Sequence, residues 1–245
     1  KVTEIPLLPE IDFFIEDKLI DFDKRKTGYY ILANKWECWS LPLKWIDHIN
    51  QNVDQVWISS DFVKQSYINS GVDEERVKVV PTGIDTDKYS PSGNIYELKT
   101  SKSFKFLYVG SIIERKGIEL LIEAFTEEFS QEDDVALIIK DDLIDSSAKS
   151  FELEKKIHEL NAEIEFYSEE PEDFTGFYRA CDVFVYPFKT EGYGIHVLEA
   201  MSSELAAIVT DGGGIKDFCN QENSYLLPAE WSEIECEQLE THELV

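Results

Sequence analysis

Thr190-Glu191-Gly192-Tyr193-Gly194-Ile195-His196-Val197-Leu198-Glu199-Ala200-Met201 carries the most specific pattern in the chain. The apolar run Val183-Phe184-Val185-Tyr186-Pro187-Phe188 precedes it and reads as a buried strand. Two glycines then lead into an apolar, helix-compatible run that ends near Ser203. The order is strand, glycine turn, helix N-terminus. Such a turn offers free backbone N–H groups and the positive end of a helix dipole, which suits an anion such as a phosphate. Glycine also lets the backbone approach a ligand closely. Glu191 and Glu199 bracket the turn with seven residues between them. Glu191 is expected before the helix and Glu199 about one turn inside it, so the two can touch different parts of one ligand.

Upstream, the same alternation repeats. Residues 104–109, 135–139, 164–167 and 183–188 read as strands, and 205–210 and 224–227 follow the key turn. Between the first two strands, Ile118, Leu121, Ile122, Phe125 and Phe129 recur with a 3.6-residue period, the core stripe of a helix. Residues 147–160 read as a second helix. Pro171 is placed in the first turn of a third, reaching Ala180.

The first half alternates in the same way. Strands are expected at 28–33, 54–59 and 77–80, with helices from Leu41 to about Asn52 and from Ser60 or Asp61, as cap, to Asn69. Strand alternating with helix implies parallel βαβ units. The division is residues 1–85 for an incomplete first domain, 86–102 for a Ser-, Pro-, Gly- and Asn-rich linker, and 103–245 for a second domain with an acidic tail.

At 245 residues, 43% hydrophobic and 13% aromatic, the chain is globular. The net charge of −27 argues against nucleic acid as a partner, and membrane association is not indicated. Cys38, Cys181, Cys219 and Cys236 show neither metal-ligand nor framework spacing, so reduced thiols and a cytoplasmic location are expected.

With those elements in order, the key stretch resembles the E-x(7)-E signature of retaining glycosyltransferases of the GT-B type. Their usual form, E-G-[FY]-G-x-x-x-x-E-A-M, is matched at Glu191, Gly192, Tyr193, Gly194, Glu199, Ala200 and Met201. The run Val77-Lys78-Val79-Val80-Pro81-Thr82-Gly83-Ile84-Asp85 resembles the close of that family's N-terminal domain. The resemblance covers roughly residues 28–228. It implies an α/β fold of GT-B type, with two Rossmann-like parallel-sheet domains, the N-terminal one incomplete. It also implies a fragment that keeps the nucleotide half and turns over poorly.

The implied chemistry moves a sugar from a nucleotide-diphosphate sugar to a glycan, lipid or small-molecule acceptor, with retention of configuration and without metal or other cofactor. Glu191 would sit by the donor sugar and Glu199 would accept the ribose hydroxyls. Backbone at Gly192, Tyr193, Gly194 and Ile195 would hold sugar and phosphate oxygens. The family's G-R-x-x-x-x-K-G is matched at Gly110, Lys116 and Gly117, but Ser111 stands where arginine is usual. Arg115 is then the candidate to take the arginine's place, and Lys116 to neutralise the leaving diphosphate; a solvated helix start is the plain alternative for both. Tyr167 and Ser168 are candidates for base contact, and His196 reads as a helix-start residue. Asp141, Asp142 and Asp145 read as a solvated acidic loop, not a metal site. A non-catalytic nucleotide-sugar-binding or scaffold protein with a degenerate site is the alternative reading. An epimerase or phosphorylase of related fold is a third, with no lysine marked for pyridoxal phosphate.

Overall fold

The computed structural model describes residues 29, 31–142, 148–169, 171 and 173–232. The expected positions Gly28, Tyr30, Asp145 and Ser147, and the acidic tail beyond 232, lie outside them.

The first half forms a three-stranded parallel sheet in the order β1 (Ile31–Ala33), β2 (Gln55–Ile58), β3 (Val77–Val79). Helix α1 (Leu43–Asn52) starts after Pro42, whose fixed φ suits a helix entry. Ser60 caps α2 (Asp61–Asn69) by accepting the Val63 N–H at 3.2 Å. A separate apolar cluster around Trp36, Trp45, Ile49, Val56, Val63 and Tyr67 holds this unit together.

The second half forms a six-stranded, all-parallel sheet. Its strands are β4 (Phe104–Val109), β5 (Val135–Lys140), β6 (Ile164–Tyr167), β7 (Val183–Tyr186), β8 (Ala206–Thr210) and β9 (Tyr225–Leu227). They lie in the order β6-β5-β4-β7-β8-β9. Strands buried on both faces read as continuous apolar runs, which is why 135–139 and 183–186 were visible in the sequence. β7 ends at Tyr186, two residues before the expected end, because Pro187 has no N–H for the ladder.

Helix α3 (Ile118–Glu128) buries Ile118, Leu121 and Phe125, with Ile122 and Phe129 half-buried against the same core. Helix α4 spans Ala148–Ile157, α5 Gly176–Ala180 and α6 Ile195–Ser202. The expectation that Pro171 opens α5 is corrected: the helix begins at Gly176. Asp173 organises a turn instead, accepting the Thr175 N–H at 3.0 Å, the Thr175 hydroxyl at 2.6 Å and Arg179 Nη2 at 2.7 Å.

The sheet order reverses direction at β4: β5 lies on one side and β7 on the other. In an open parallel sheet, ligands bind beyond the carboxyl ends of the strands at such a switch point. The loops that leave β4 and β7 there carry residues 110–117 and 187–194. The segment 80–103 joins the two sheets, and Tyr96 stacks on Phe177 with ring centroids 4.0 Å apart.

Candidate functional site

The two loops at the switch point meet through one pair. Lys116 Nζ lies 2.5 Å from Glu191 Oε2, and both residues are buried, at 9% and 6% exposed. A solvated helix start is therefore excluded for Lys116. The lysine reaches this position from a 3-10 turn, Glu114–Lys116, closed by Gly117 in the left-handed region at φ 73°. A Cβ at Gly117 would stand 1.9 Å from the Pro187 carbonyl oxygen, so glycine alone allows the two loops to touch.

Glu191 is fully engaged. Its Oε2 also accepts the Tyr186 hydroxyl at 3.0 Å, and Oε1 accepts the backbone N–H groups of Tyr193 at 3.3 Å and Gly194 at 3.2 Å. Burial alone would raise its pKa. Lys116 above all, with Arg115 and the Tyr193 N–H, outweighs burial and holds it down to about 2. Two of the backbone donors expected to hold ligand oxygens therefore already bond to this carboxylate. The Tyr193 hydroxyl donates to the Thr82 carbonyl at 2.7 Å, and Ile195 is the first residue of α6.

Arg115 lies at the same mouth. Its Nη2 is 3.2 Å from Glu37 Oε1, while Nε and Nη1 are buried with no hydrogen-bond partner among the described residues. Buried guanidinium N–H groups carry a cost when unpaired, and an oxyanion satisfies them. Glu37, from the first half, went unread in the sequence. Its pKa is raised by burial against the opposing charge of Arg115, and Glu191 adds to the rise.

The second glutamate, Glu199, is 7% exposed one turn inside α6. Its Oε2 accepts the Tyr178 hydroxyl at 2.6 Å and lies 2.8 Å from His196 Nδ1. His196 Nε2 lies 3.1 Å from Asp142 Oδ2, and Asp142 Oδ1 accepts the Ser111 hydroxyl at 2.7 Å. Ser111, where the resemblance led one to expect a cation, thus takes part in an acid–histidine network. The solvated-loop reading of the acidic segment is corrected: Asp141 is 1% exposed and accepts the Ser150 hydroxyl at 2.6 Å. Burial opposes ionisation of both Asp142 and Glu199, but hydrogen bonds and charge from His196 lower both pKa values.

The remaining sequence candidates fall elsewhere. Gly110 closes β4 with its N–H on the Lys140 carbonyl at 3.1 Å. Tyr167 turns to the connecting segment: its hydroxyl donates to Glu165 and accepts the Lys99 N–H at 3.3 Å. Ser168, half-buried, follows β6. Among the described residues, Tyr167 bonds to Lys99 and Glu165 and not to Lys116, Glu191 or Glu199.

The first half closes over this mouth. The Ser60 hydroxyl donates to the Gly192 carbonyl at 2.6 Å, the Asp61 N–H to Asp217 Oδ2 at 2.9 Å, and the Thr190 hydroxyl to the Glu37 carbonyl. A Cβ on Gly192 would stand 2.0 Å from the Trp36 carbonyl oxygen, and one on Gly214 2.0 Å from the Gly192 carbonyl oxygen. Gly213 and Gly214 pack directly on the Glu191–Gly192 backbone, with the Gly214 N–H on the Glu191 carbonyl at 2.8 Å. The site is therefore a cleft between two sheets, with Lys116 and Arg115 on the turn after β4 and His196 in the first turn of α6.

Comparison with known proteins agrees with this architecture. A family model, Glycosyl transferases group 1, matches residues 96–235. The chain is 28% identical over 186 residues to the capsular polysaccharide biosynthesis glycosyltransferase CapM of Staphylococcus aureus, covering 69% of this chain and 46% of that protein. It is 27% identical over 210 residues to the D-inositol 3-phosphate glycosyltransferase of Corynebacterium jeikeium, covering 76% and 49% respectively. The chain thus spans less than half the length of these two relatives. The structure of Anabaena Alr3699/HepE in complex with UDP and glucose superposes with a TM-score of 0.65 at 18% identity, covering 82% of this chain and 58% of that one. That likeness is one of fold, the GT-B arrangement of two parallel sheets. Among the described residues no helix is long and apolar enough to cross a membrane.

Proposed function

The chain belongs to the glycosyl transferases group 1 family, and on that premise we propose that it binds a nucleotide-diphosphate sugar in the cleft and serves its transfer with retention of configuration. The observation that carries the reading is the buried Lys116–Glu191 pair at the sheet's switch point, beside two Arg115 nitrogens that have no hydrogen-bond partner among the described residues.

The chemistry follows from charge. Breaking the bond between sugar and diphosphate leaves the electron pair on a phosphate oxygen and positive character on the sugar ring. Lys116 and Arg115, with the N-terminus of α6, meet the leaving anion beside a buried ion pair, where charge is poorly screened. An ammonium has three N–H donors, so Lys116 can hold Glu191 and a phosphate oxygen together. Glu191, kept ionised, lies where it can face the developing positive charge. Glu199 takes the ribose hydroxyls, because a carboxylate accepts on both oxygens. No metal is assigned a part. The acceptor is a glycan, lipid or small molecule, and the location proposed is the cytoplasm.

A second reading, nucleotide-sugar binding without transfer, draws support from Ser111 pairing with Asp142 in place of a cation. Incubation with UDP-glucose, watched by proton NMR, separates the two. Slow hydrolysis that first releases the α-anomer supports retaining transfer. Early release of the β-anomer contradicts retention. UDP-glucose binding with no release over days supports the second reading.

A further inference from the structure

We infer that His196 is the positioning residue for Glu199, its ring clamping that carboxylate, ionised and in one rotamer, to receive the ribose of a nucleotide. The inference rests on the reading of the cleft as a nucleoside-diphosphate site and adds to it a residue that pattern alone leaves as a helix-start filler.

The geometry is specific. His196 and Glu199 lie three apart on α6, so their side chains share one face of the helix. The ring's two nitrogens each meet a carboxylate: Nδ1 lies 2.8 Å from Glu199 Oε2, and Nε2 3.1 Å from Asp142 Oδ2, which arrives from the end of β5. A neutral imidazole has one N–H and one lone pair. With either tautomer, a lone pair would face a carboxylate oxygen at hydrogen-bond distance. Only the imidazolium satisfies both contacts. Burial opposes that charge, but the two carboxylates outweigh it and raise the pKa to about 9.

The groups facing the ring come from several elements. Asp142 is held by Ser111 from the loop after β4. The Tyr178 hydroxyl, from α5, lies 2.6 Å from Glu199 Oε2 and 3.5 Å from His196 Nδ1. Burial and the Glu199 charge push Tyr178 well up, so it remains a neutral donor. Tyr89, from the connecting segment, is raised likewise by burial and Glu199. Among the described residues the imidazolium thus meets two carboxylates and two phenols, and the Lys116 charge, from the loop after β4, also acts on Asp142. Two donors fix Glu199 Oε2, which sets the direction of the whole carboxylate before any ligand arrives.

The test compares ribose with deoxyribose on the intact chain. UDP and 2′-deoxy-UDP are titrated by calorimetry into the wild type, His196→Ala, His196→Asn and Glu199→Ala, with the GDP and ADP pairs run alongside. The wild type is expected to prefer the ribose form by about tenfold, the size of one charge-assisted hydrogen bond. His196→Ala is expected to bring that preference within about twofold while binding the deoxy form as the wild type does. His196→Asn keeps one donor toward Glu199 and is expected to retain an intermediate preference. In the wild type the preference should also fall as pH rises through about 9.

A His196→Ala variant that keeps the full preference, while Glu199→Ala loses it, overturns the inference and leaves the nucleotide site standing. Equal loss of both ligands in His196→Ala marks a merely structural role and also overturns it. If Glu199→Ala keeps the preference, the ribose assignment fails and takes the inference with it. If the wild type binds none of the six nucleotides, the functional reading itself falls.

Discussion

Lys116 Nζ sits 2.5 Å from Glu191 Oε2, and this one contact joins loops 75 residues apart in the chain at the point where the strand order reverses. Removing the lysine leaves a buried carboxylate that Arg115 still favours electrostatically but does not replace. Breaking one partner of a buried pair costs about 3–5 kcal/mol. Lys116→Ala is therefore expected to lower unfolding free energy by about 3 kcal/mol, and Lys116→Met with Glu191→Gln by much less. Urea titration measures both. A loss under about 1 kcal/mol in Lys116→Ala would contradict the pairing.

The two shifted groups act on opposite limbs of the pH profile. Glu191 falls from 4.5 to about 2 on folding, so its contribution is present above pH 4.5 and drains away as pH falls toward 2. His196 rises from 6.5 to about 9, so its contribution is complete below pH 6.5 and is lost as pH climbs through 9. Urea midpoints across pH should fall on both sides, with Glu191→Gln flattening the acid limb and His196→Ala the alkaline one. Variants whose limbs match the wild type would show that other groups set the profile.

Gly192 is required by space. Its missing Cβ would stand 2.0 Å from the Trp36 carbonyl oxygen, which is backbone and cannot swing aside. Gly192→Ala is expected to push the first half off the second and to break the hydrogen bond from Ser60 to the Gly192 carbonyl. Small-angle scattering should show a larger radius of gyration for the variant. An unchanged radius with unchanged stability would refute the close approach.

Glu204 holds φ 65° just past α6, where its N–H reaches the Met201 carbonyl at 3.0 Å and the next N–H reaches Ala200 at 3.0 Å. A side chain in the left-handed region costs about 1–2 kcal/mol, part of which glycine returns in the unfolded chain. Glu204→Gly should raise stability by about 0.5–1 kcal/mol. Thermal unfolding reads the sign, and a lower midpoint would count against the strain.

The strands, the α3 stripe and the glycine turn before α6 were legible because their signals are local: apolar runs, period and glycine spacing. Pro171 misled, because a proline suits a helix start in general while Asp173 builds a competing turn here. The chemistry around the two glutamates was half legible. Glu191, Glu199 and Lys116 stood out by pattern. Asp142, 54 residues from His196, and Glu37, 78 from Arg115, did not, since no local spacing records a partner across the fold. Tyr178 and Tyr186 looked like ordinary core aromatics, and only the folded chain shows their hydroxyls on Glu199 and Glu191.

Lys116 and its neighbours are proposed to hold the diphosphate of a nucleotide. Calorimetric titration of UDP and of uridine, with GDP and ADP as further probes, into wild type and Lys116→Ala measures that role. One diphosphate is expected to bind, uridine far more weakly, and Lys116→Ala to lose that diphosphate by at least about tenfold, the worth of one charge-assisted contact. A diphosphate that binds Lys116→Ala as well as wild type, or no binding of any nucleotide at millimolar concentration, would contradict it.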